Sequence, residues 1–262
     1  NIINRGSTMF SEIVTFIQKT YRTKKAISLH EPRFIGNEKK YMNECLDSTF
    51  VSSVGKFVDE FENSMKEYTG AKFAIATVNG TAALHTALTI GGVKRDDLVI
   101  TQPFSFIATS NAISYLGAYP LYLDISKKTL GLCPVKLSDY LKKNTYINKD
   151  GYAYHIKTKR RISACVPMHT FGHPCEIAEI VKVCNQFNIL LIEDAAESLG
   201  SKYSGKQTGT FGKMGIYSFN GNKTITCGGG GILITDNVEI GKRVKHVTTT
   251  AKVPHRWDFV HD

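Results

Sequence analysis

Short apolar and β-branched runs at 73–78, 98–101, 120–124, 162–167 and 189–193 alternate with stretches of helical periodicity near 81–91, 106–116, 134–142 and 176–186. That alternation leaves few folds open. Parallel strands need a crossover long enough to hold a helix, and those helices must then cover the sheet. The expected architecture is an α/β fold of three layers, α/β/α, around a mostly parallel sheet. Two further strand candidates, 215–219 and 231–235, flank a polar, glycine-rich segment, and 236–250 returns to helix. The stretch 146–161 breaks the rhythm: it turns at Asn148-Lys149-Asp150-Gly151 and runs on through Tyr152-Ala153-Tyr154-His155-Ile156, which reads as a surface hairpin insertion.

Ahead of the alternation, Phe10, Ile13, Val14, Ile17 and Tyr21 recur at helical spacing, with Phe16 beside them, so a helix over 10–21 carries a stripe that a partner must cover. Phe57, Val58, Phe61, Met65 and Tyr68 predict a second helix stopped by Gly70. Residues 1–8 show neither periodicity nor a targeting pattern and read as a tag or loose arm. The expected division is that arm, a helical segment over 9–70, a large domain over 71–250 with the 146–161 insertion, and at 251–262 the start of a C-terminal part that is cut short.

Lys and Arg number 33 against 23 Asp and Glu, a formal charge of +10, which suits nucleic acid, a membrane surface or an anionic small molecule. The basic residues fall mostly in scattered pairs such as Lys39-Lys40, Lys142-Lys143, Arg160-Arg161 and Lys242-Arg243, without a basic tract or zinc-finger spacing. That argues against the first two partners. No apolar run exceeds four residues, Ile189-Leu190-Leu191-Ile192 being one, against roughly 20 for a bilayer span. The expectation is a cytoplasmic protein. Six cysteines without a C-x-x-C pair read as reduced thiols, several of them buried.

Open parallel sheets bind ligands beyond the carboxyl ends of their strands. Four such positions here are chemically loaded. Asn79-Gly80-Thr81-Ala82 follows the first strand and opens a helix, where backbone amides and a hydroxyl suit a phosphate; an ordinary capping turn would use the same residues. Asp194 ends the most apolar strand, so its carboxylate needs a cationic or donor partner such as a protonated pyridine nitrogen, unless it simply caps the next turn. Ser218-Phe219-Asn220-Gly221-Asn222-Lys223 bends after a strand and can turn the Lys223 amine inward to trap an aldehyde, although most lysines are solvated. Phe106 can stack on a planar ring or belong to the core. A phosphate cup, a ring-nitrogen carboxylate, a stacking ring and an aldehyde-trapping amine together match pyridoxal 5′-phosphate.

The segments Asn79-Gly80-Thr81-Ala82-Ala83-Leu84-His85, Phe106-Ile107-Ala108-Thr109-Ser110-Asn111-Ala112-Ile113, Glu193-Asp194-Ala195-Ala196-Glu197-Ser198 and Ser218-Phe219-Asn220-Gly221-Asn222-Lys223, in this order, resemble the DegT/StrS family of pyridoxal-phosphate sugar aminotransferases over residues 29–262. The resemblance implies the large domain of the PLP-dependent transferase fold of type I. It makes Lys223 the cofactor lysine, Asp194 the pyridinium partner and Phe106 the stacking ring. The phosphate falls to Thr81, the Gly80, Thr81 and Ala82 amides, and Ser218. Glu197 stands where many members have Gln, near the cofactor's phenolic oxygen.

Phe50-Val51-Ser52-Ser53-Val54-Gly55, Met168-His169-Thr170-Phe171-Gly172-His173-Pro174 and Thr248-Thr249-Thr250-Ala251-Lys252 further resemble the branch acting on UDP-4-keto-6-deoxy-N-acetylhexosamines. The implied reaction moves an amino group from glutamate to the C4 ketone of a nucleotide sugar for surface glycan synthesis, in a homodimer. Family members continue into a C-terminal small domain, so a noncatalytic cofactor-binding or dimerisation piece is the alternative. A nucleotide-binding domain built on Gly228-Gly229-Gly230-Gly231 is a weaker one, because Ile232-Leu233-Ile234-Thr235 looks like strand. A dehydrating branch replaces the lysine by histidine, which Lys223 argues against. His169 and His173 lack further ligands for a metal and, like His85, read as structural.

Overall fold

The computed structural model describes residues 10–253, 258 and 260–261; the arm expected at 1–8 lies outside them. The chain divides into a unit ending at Glu31 and a unit beginning at Pro32. In the first, α1 (Ser11–Thr20) forms where the spacing placed it, and its stripe is uncovered: Phe10, Ile13, Val14, Phe16 and Tyr21 are all exposed.

The second unit opens with α2 (Glu38–Ser48) and α3 (Lys56–Thr69), the latter ended by Gly70 in the left-handed region at φ 78°. The alternation follows: β1 (Phe73–Thr77), α4 (Gly80–Ile90), β2 (Leu98–Thr101), α5 (Ile107–Tyr115), β3 (Tyr119–Tyr122), α6 (Pro134–Asn144), β4 (Thr145–Ile147), β5 (Ala153–His155), β6 (Ile162–Cys165), α7 (Ile177–Gln186) and β7 (Leu190–Asp194). After a small hairpin of β8 (Lys202–Tyr203) and β9 (Lys206–Gln207) come β10 (Met214–Ser218), β11 (Gly231–Thr235) and α8 (Val238–Thr248). A last short pair joins β12 (Lys252–Val253) to β13 (Val260–His261).

Seven strands form one sheet in the order β1-β11-β10-β7-β6-β2-β3. Only β11 runs against its neighbours; β10, β7, β6, β2 and β3 pair in parallel. Apolar residues are buried on both faces, as such a sheet requires. Ile75, Val99, Ile192, Ile216 and Leu233 meet Leu84 and Leu88 of α4, Ile113 of α5 and Val244 of α8 on one side. On the other, Ile100 and Leu191 meet Leu137 and Leu141 of α6 with Ile177 and Ile180 of α7, while Ile232, Ile234 and Tyr217 meet Met65 of α3. This is the three-layer α/β/α sandwich. The insertion is a hairpin, with Thr145 opposite His155 and Gly151 at φ 80° in its turn. Cys165, Cys175 and Cys184 are buried free thiols. No helix among the described residues is long and apolar enough to cross a membrane.

Candidate active site

Where β1, β7 and β10 end, Asp194, Ser218 and the turns that follow the three strands line a cavity of about 430 Å³. Gly80, Thr81, Phe106, Asp194, Glu197, Ser218 and Lys223 all line it; Ala82 does not.

Asn79 leaves β1 extended and caps α4, its Oδ1 accepting the Ala82 N–H at 2.8 Å. Of the three amides expected at a phosphate, that of Ala82 is engaged by this cap. The side chain that starts the helix takes the Ala82 donor, and Gly80 and Thr81 carry the N-terminal end of α4 into the cavity. Gly80 is glycine for a steric reason: a Cβ there would stand 2.8 Å from the Ser218 Cβ. The first turn of α4 therefore lies directly against the end of β10, which brings the Ser218 hydroxyl to the helix terminus. Gly231 is similarly constrained, since its Cβ would meet the Asn79 carbonyl carbon at 2.3 Å. The glycine run is thus a turn, with Gly228 and Gly230 at φ 87° and 125°, that delivers β11 beside β1. No helix follows it, which removes the nucleotide-loop reading.

Asp194 ends β7 only 4% exposed. Its Oδ2 accepts from Thr109 Oγ1 at 2.7 Å and its Oδ1 from the Ala196 N–H at 3.2 Å. Burial pushes the carboxyl above the usual carboxylate range; the bonds from Thr109 and Ala196 pull the other way, as do Lys223 and His169 more weakly. Two neutral donors do not match what water gives a carboxylate, so a cation reaching Asp194 from the cavity would relieve it.

The turn after β10 closes with the Lys223 N–H on the Asn220 carbonyl at 3.0 Å. The Lys223 side chain is 10% exposed and points inward, its Nζ 3.2 Å from Glu197 Oε1 and 5.6 Å from the Phe106 ring centre. Glu197 Oε2 accepts the Phe171 N–H at 3.1 Å. The Glu197 carboxylate therefore faces the lysine. Phe106 itself is exposed at the rim, not part of the core.

His169 is fully buried. Its Nδ1 accepts the Cys175 N–H at 3.2 Å, which puts the ring proton on Nε2, 3.0 Å from Glu193 Oε2. It is a structural residue, and His85 packs edge-on to Tyr115. No group of three or more metal-ligating side chains occurs among the described residues. Sequence reasoning assigned no role to Thr109, the main donor to Asp194, nor to Ala196, whose amide completes that pair. Both lie in segments the sequence singled out, but only the fold shows which atoms face the carboxylate.

These residues fit pyridoxal 5′-phosphate: an under-compensated buried carboxylate for a ring cation, a helix terminus crowded against a serine hydroxyl for a phosphate, and a nearly enclosed amine between them. A sequence profile of the DegT/DnrJ/EryC1/StrS aminotransferase family matches residues 32–261. The chain is 39% identical to a GDP-perosamine synthase of Escherichia coli O157:H7 over 91% of its length and 60% of that protein. It is 35% identical to a UDP-4-amino-4,6-dideoxy-N-acetyl-beta-L-altrosamine transaminase of Campylobacter jejuni over 78% of its length and 50% of that protein. Among solved structures it superposes on a DegT DnrJ EryC1 StrS aminotransferase from Brucella abortus with a TM-score of 0.76 at 25% identity, covering 86% of this chain and 58% of that one. The chain spans only about 50–60% of the length of these proteins.

Proposed function

The chain belongs to the DegT/DnrJ/EryC1/StrS aminotransferase family, and from that premise we propose that it transfers an amino group from glutamate to the C4 ketone of a nucleotide-linked 4-keto-6-deoxy sugar. Aminotransferases of this family use pyridoxal 5′-phosphate. The observation that carries the reading for this chain is Lys223, an amine 10% exposed in a cavity that also holds the buried Asp194.

In this reading Gly80, Thr81 and Ser218 hold the phosphate, Phe106 covers a ring face, and Asp194 keeps a proton on the ring nitrogen. The cofactor supplies an aldehyde that condenses with amines and a ring that accepts electron density while its nitrogen is protonated. Lys223 would hold that aldehyde through its amine, and its Nζ, once free, would be the base placed to take the proton from the donor Cα and to return it. Glu197, 3.2 Å from Nζ, steadies the amine while it is charged. Leaving that carboxylate is part of freeing Lys223 as a base.

The UDP-linked N-acetyl sugar is the substrate that the motifs at 50–55, 168–174 and 248–252 favour, and a homodimer is the proposed assembly. Phe106 at the cavity, and Val78 and Ile107 next in sequence to cavity-lining positions, are exposed and supply the apolar surface that a second copy would cover. Addition of pyridoxal phosphate should give a visible absorption band, and borohydride should then fix the label on Lys223; a colourless protein, or a label elsewhere, overturns the assignment. Glutamate with UDP- and GDP-linked 4-keto-6-deoxy sugars, supplied in parallel, reads the substrate from the amino sugar formed. A labelled protein that converts neither would be a cofactor-binding piece without turnover.

A further inference from the structure

At the opposite end of the same strands lies a second cavity, of about 550 Å³, which the proposed reaction does not use. It is bordered by the starts of β6 and β7, the residue before β10, the end of α7 and the insertion hairpin. Strands of four or five residues put it roughly 15 Å from the first cavity. Its size falls within the range of small-molecule sites.

The lining has one electrical sign. Arg161 and Lys213 are its charged residues, and no carboxylate lines it among the described residues. Ser163 and Asn185 add polar groups, and Tyr152 and Phe211 add rings. Arg161 is held in place there. Its guanidinium lies 4.5 Å from the Tyr152 ring centre, and one Nη reaches the Gly92 carbonyl only at 3.5 Å. Its Nε is buried without a hydrogen-bond partner. The neighbouring Arg160 differs: it pairs with Asp96 at 3.6 Å and covers Tyr119. An arginine oriented by an aromatic ring and short of an acceptor, in a cavity that a second cation lines and no acid does among the described residues, is the arrangement that a bound oxyanion completes.

We propose that this cavity binds a small phosphate-bearing anion through Arg161 and Lys213. The hairpin insertion supplies Tyr152 and leads into Arg161. The site stands independently of the transamination reading, because it shares no residue with the first cavity.

The test is local. Arg161 in the full chain is modified with phenylglyoxal and followed by mass spectrometry, alone, with inorganic pyrophosphate, and with uridine diphosphate. Either anion at saturation should slow modification of Arg161 severalfold. Stronger protection by pyrophosphate identifies a free phosphate ligand; stronger protection by the nucleotide identifies a ligand whose base uses the rings. Lys213 is exposed, so Lys213→Gln should fold as the parent does while raising the anion concentration for half-protection about tenfold. Lys223→Ala should leave the protection unchanged. Equal modification rates with and without both anions, protection unaltered by Lys213→Gln, or protection lost in Lys223→Ala would each overturn the proposal.

Discussion

Gly80→Ala probes the contact on which the proposed phosphate seat depends. The new Cβ would lie 2.8 Å from the Ser218 Cβ and 3.2 Å from its Oγ, whereas ordinary contact begins at 3.4 Å, so the two elements must part by about 0.6 Å (3.4 − 2.8). Ser218 has little freedom to retreat, because β10 is paired on both sides, with β7 and with β11. The N-terminal turn of α4 must move instead. Overpacking of this kind costs about 1–3 kcal/mol, which for a chain this size lowers Tm by roughly 2–10 °C. The displaced turn also aims its amides away from the phosphate. Losing one charge-assisted bond weakens pyridoxal phosphate binding by about tenfold or more. The control is Gly221→Ala, at another residue of the same cavity, where a Cβ meets nothing within 4 Å. Thermal melts without cofactor and absorbance titrations with it measure both effects. Unchanged affinity in Gly80→Ala, or equal losses in Gly221→Ala, would refute the reasoning.

Three other substitutions test neighbouring parts of the site. Burial raises the Asp194 carboxyl, so its contribution to the stability of the cofactor-free chain is present below the ordinary carboxylate range and is lost as pH rises through the raised value. Asp194→Asn should therefore gain in Tm relative to the parent between pH 4.5 and pH 8 without cofactor, while the visible band of the loaded protein changes; parallel melting curves across pH would contradict the burial argument. Glu197→Gln keeps an acceptor for the Phe171 N–H but releases Lys223 from its ion pair, and stopped-flow absorbance should show cofactor uptake about tenfold faster. Glu193→Ala leaves the buried His169 and three backbone N–H groups without an acceptor and should cost about 3–5 kcal/mol, read as a fall in the urea midpoint.

What the sequence made legible follows from how strongly each residue is constrained locally. The apolar runs and the Gly70 stop appear within a residue or two of their expected places because burial on both sheet faces and a left-handed cap act over short spans. Helix α2 lies within the helical segment expected over 9–70 but has no bounds in the sequence pattern, because Glu38–Ser48 buries no residue and so carries little periodic apolar signal. The hairpin of β8 and β9, two residues a side, was equally silent. Asp194 and Ser218 end strands, and Gly80 and Lys223 stand in the segments after them, places that the apolar runs mark. Their mutual placement was not readable, because it depends on β11 entering between β1 and β10. The capture of the Ala82 amide by Asn79 is a choice between two uses of one turn, and residue types alone do not decide it.

The adjacent carboxylates of β7 show how the fold assigns opposite tasks to like residues. Glu193 is fully buried and collects four donors: His169 Nε2 and the Gly209 N–H on one oxygen, the Phe211 and Gly212 N–H groups on the other. Asp194, one residue on and turned to the opposite side by strand alternation, receives two. A carboxylate with four donors has no reason to attract a ligand, and its bonds tie β7 to the turn before β10 and to the His169 segment. One with two donors at the edge of a cavity retains an unmet demand for positive charge. The same His169 that serves Glu193 through its ring also donates its backbone N–H to the Asp194 carbonyl at 3.1 Å. The satisfied acid thus helps to fix the position of the unsatisfied one, and disturbing Glu193 should shift the spectrum of bound cofactor as well as the stability of the chain.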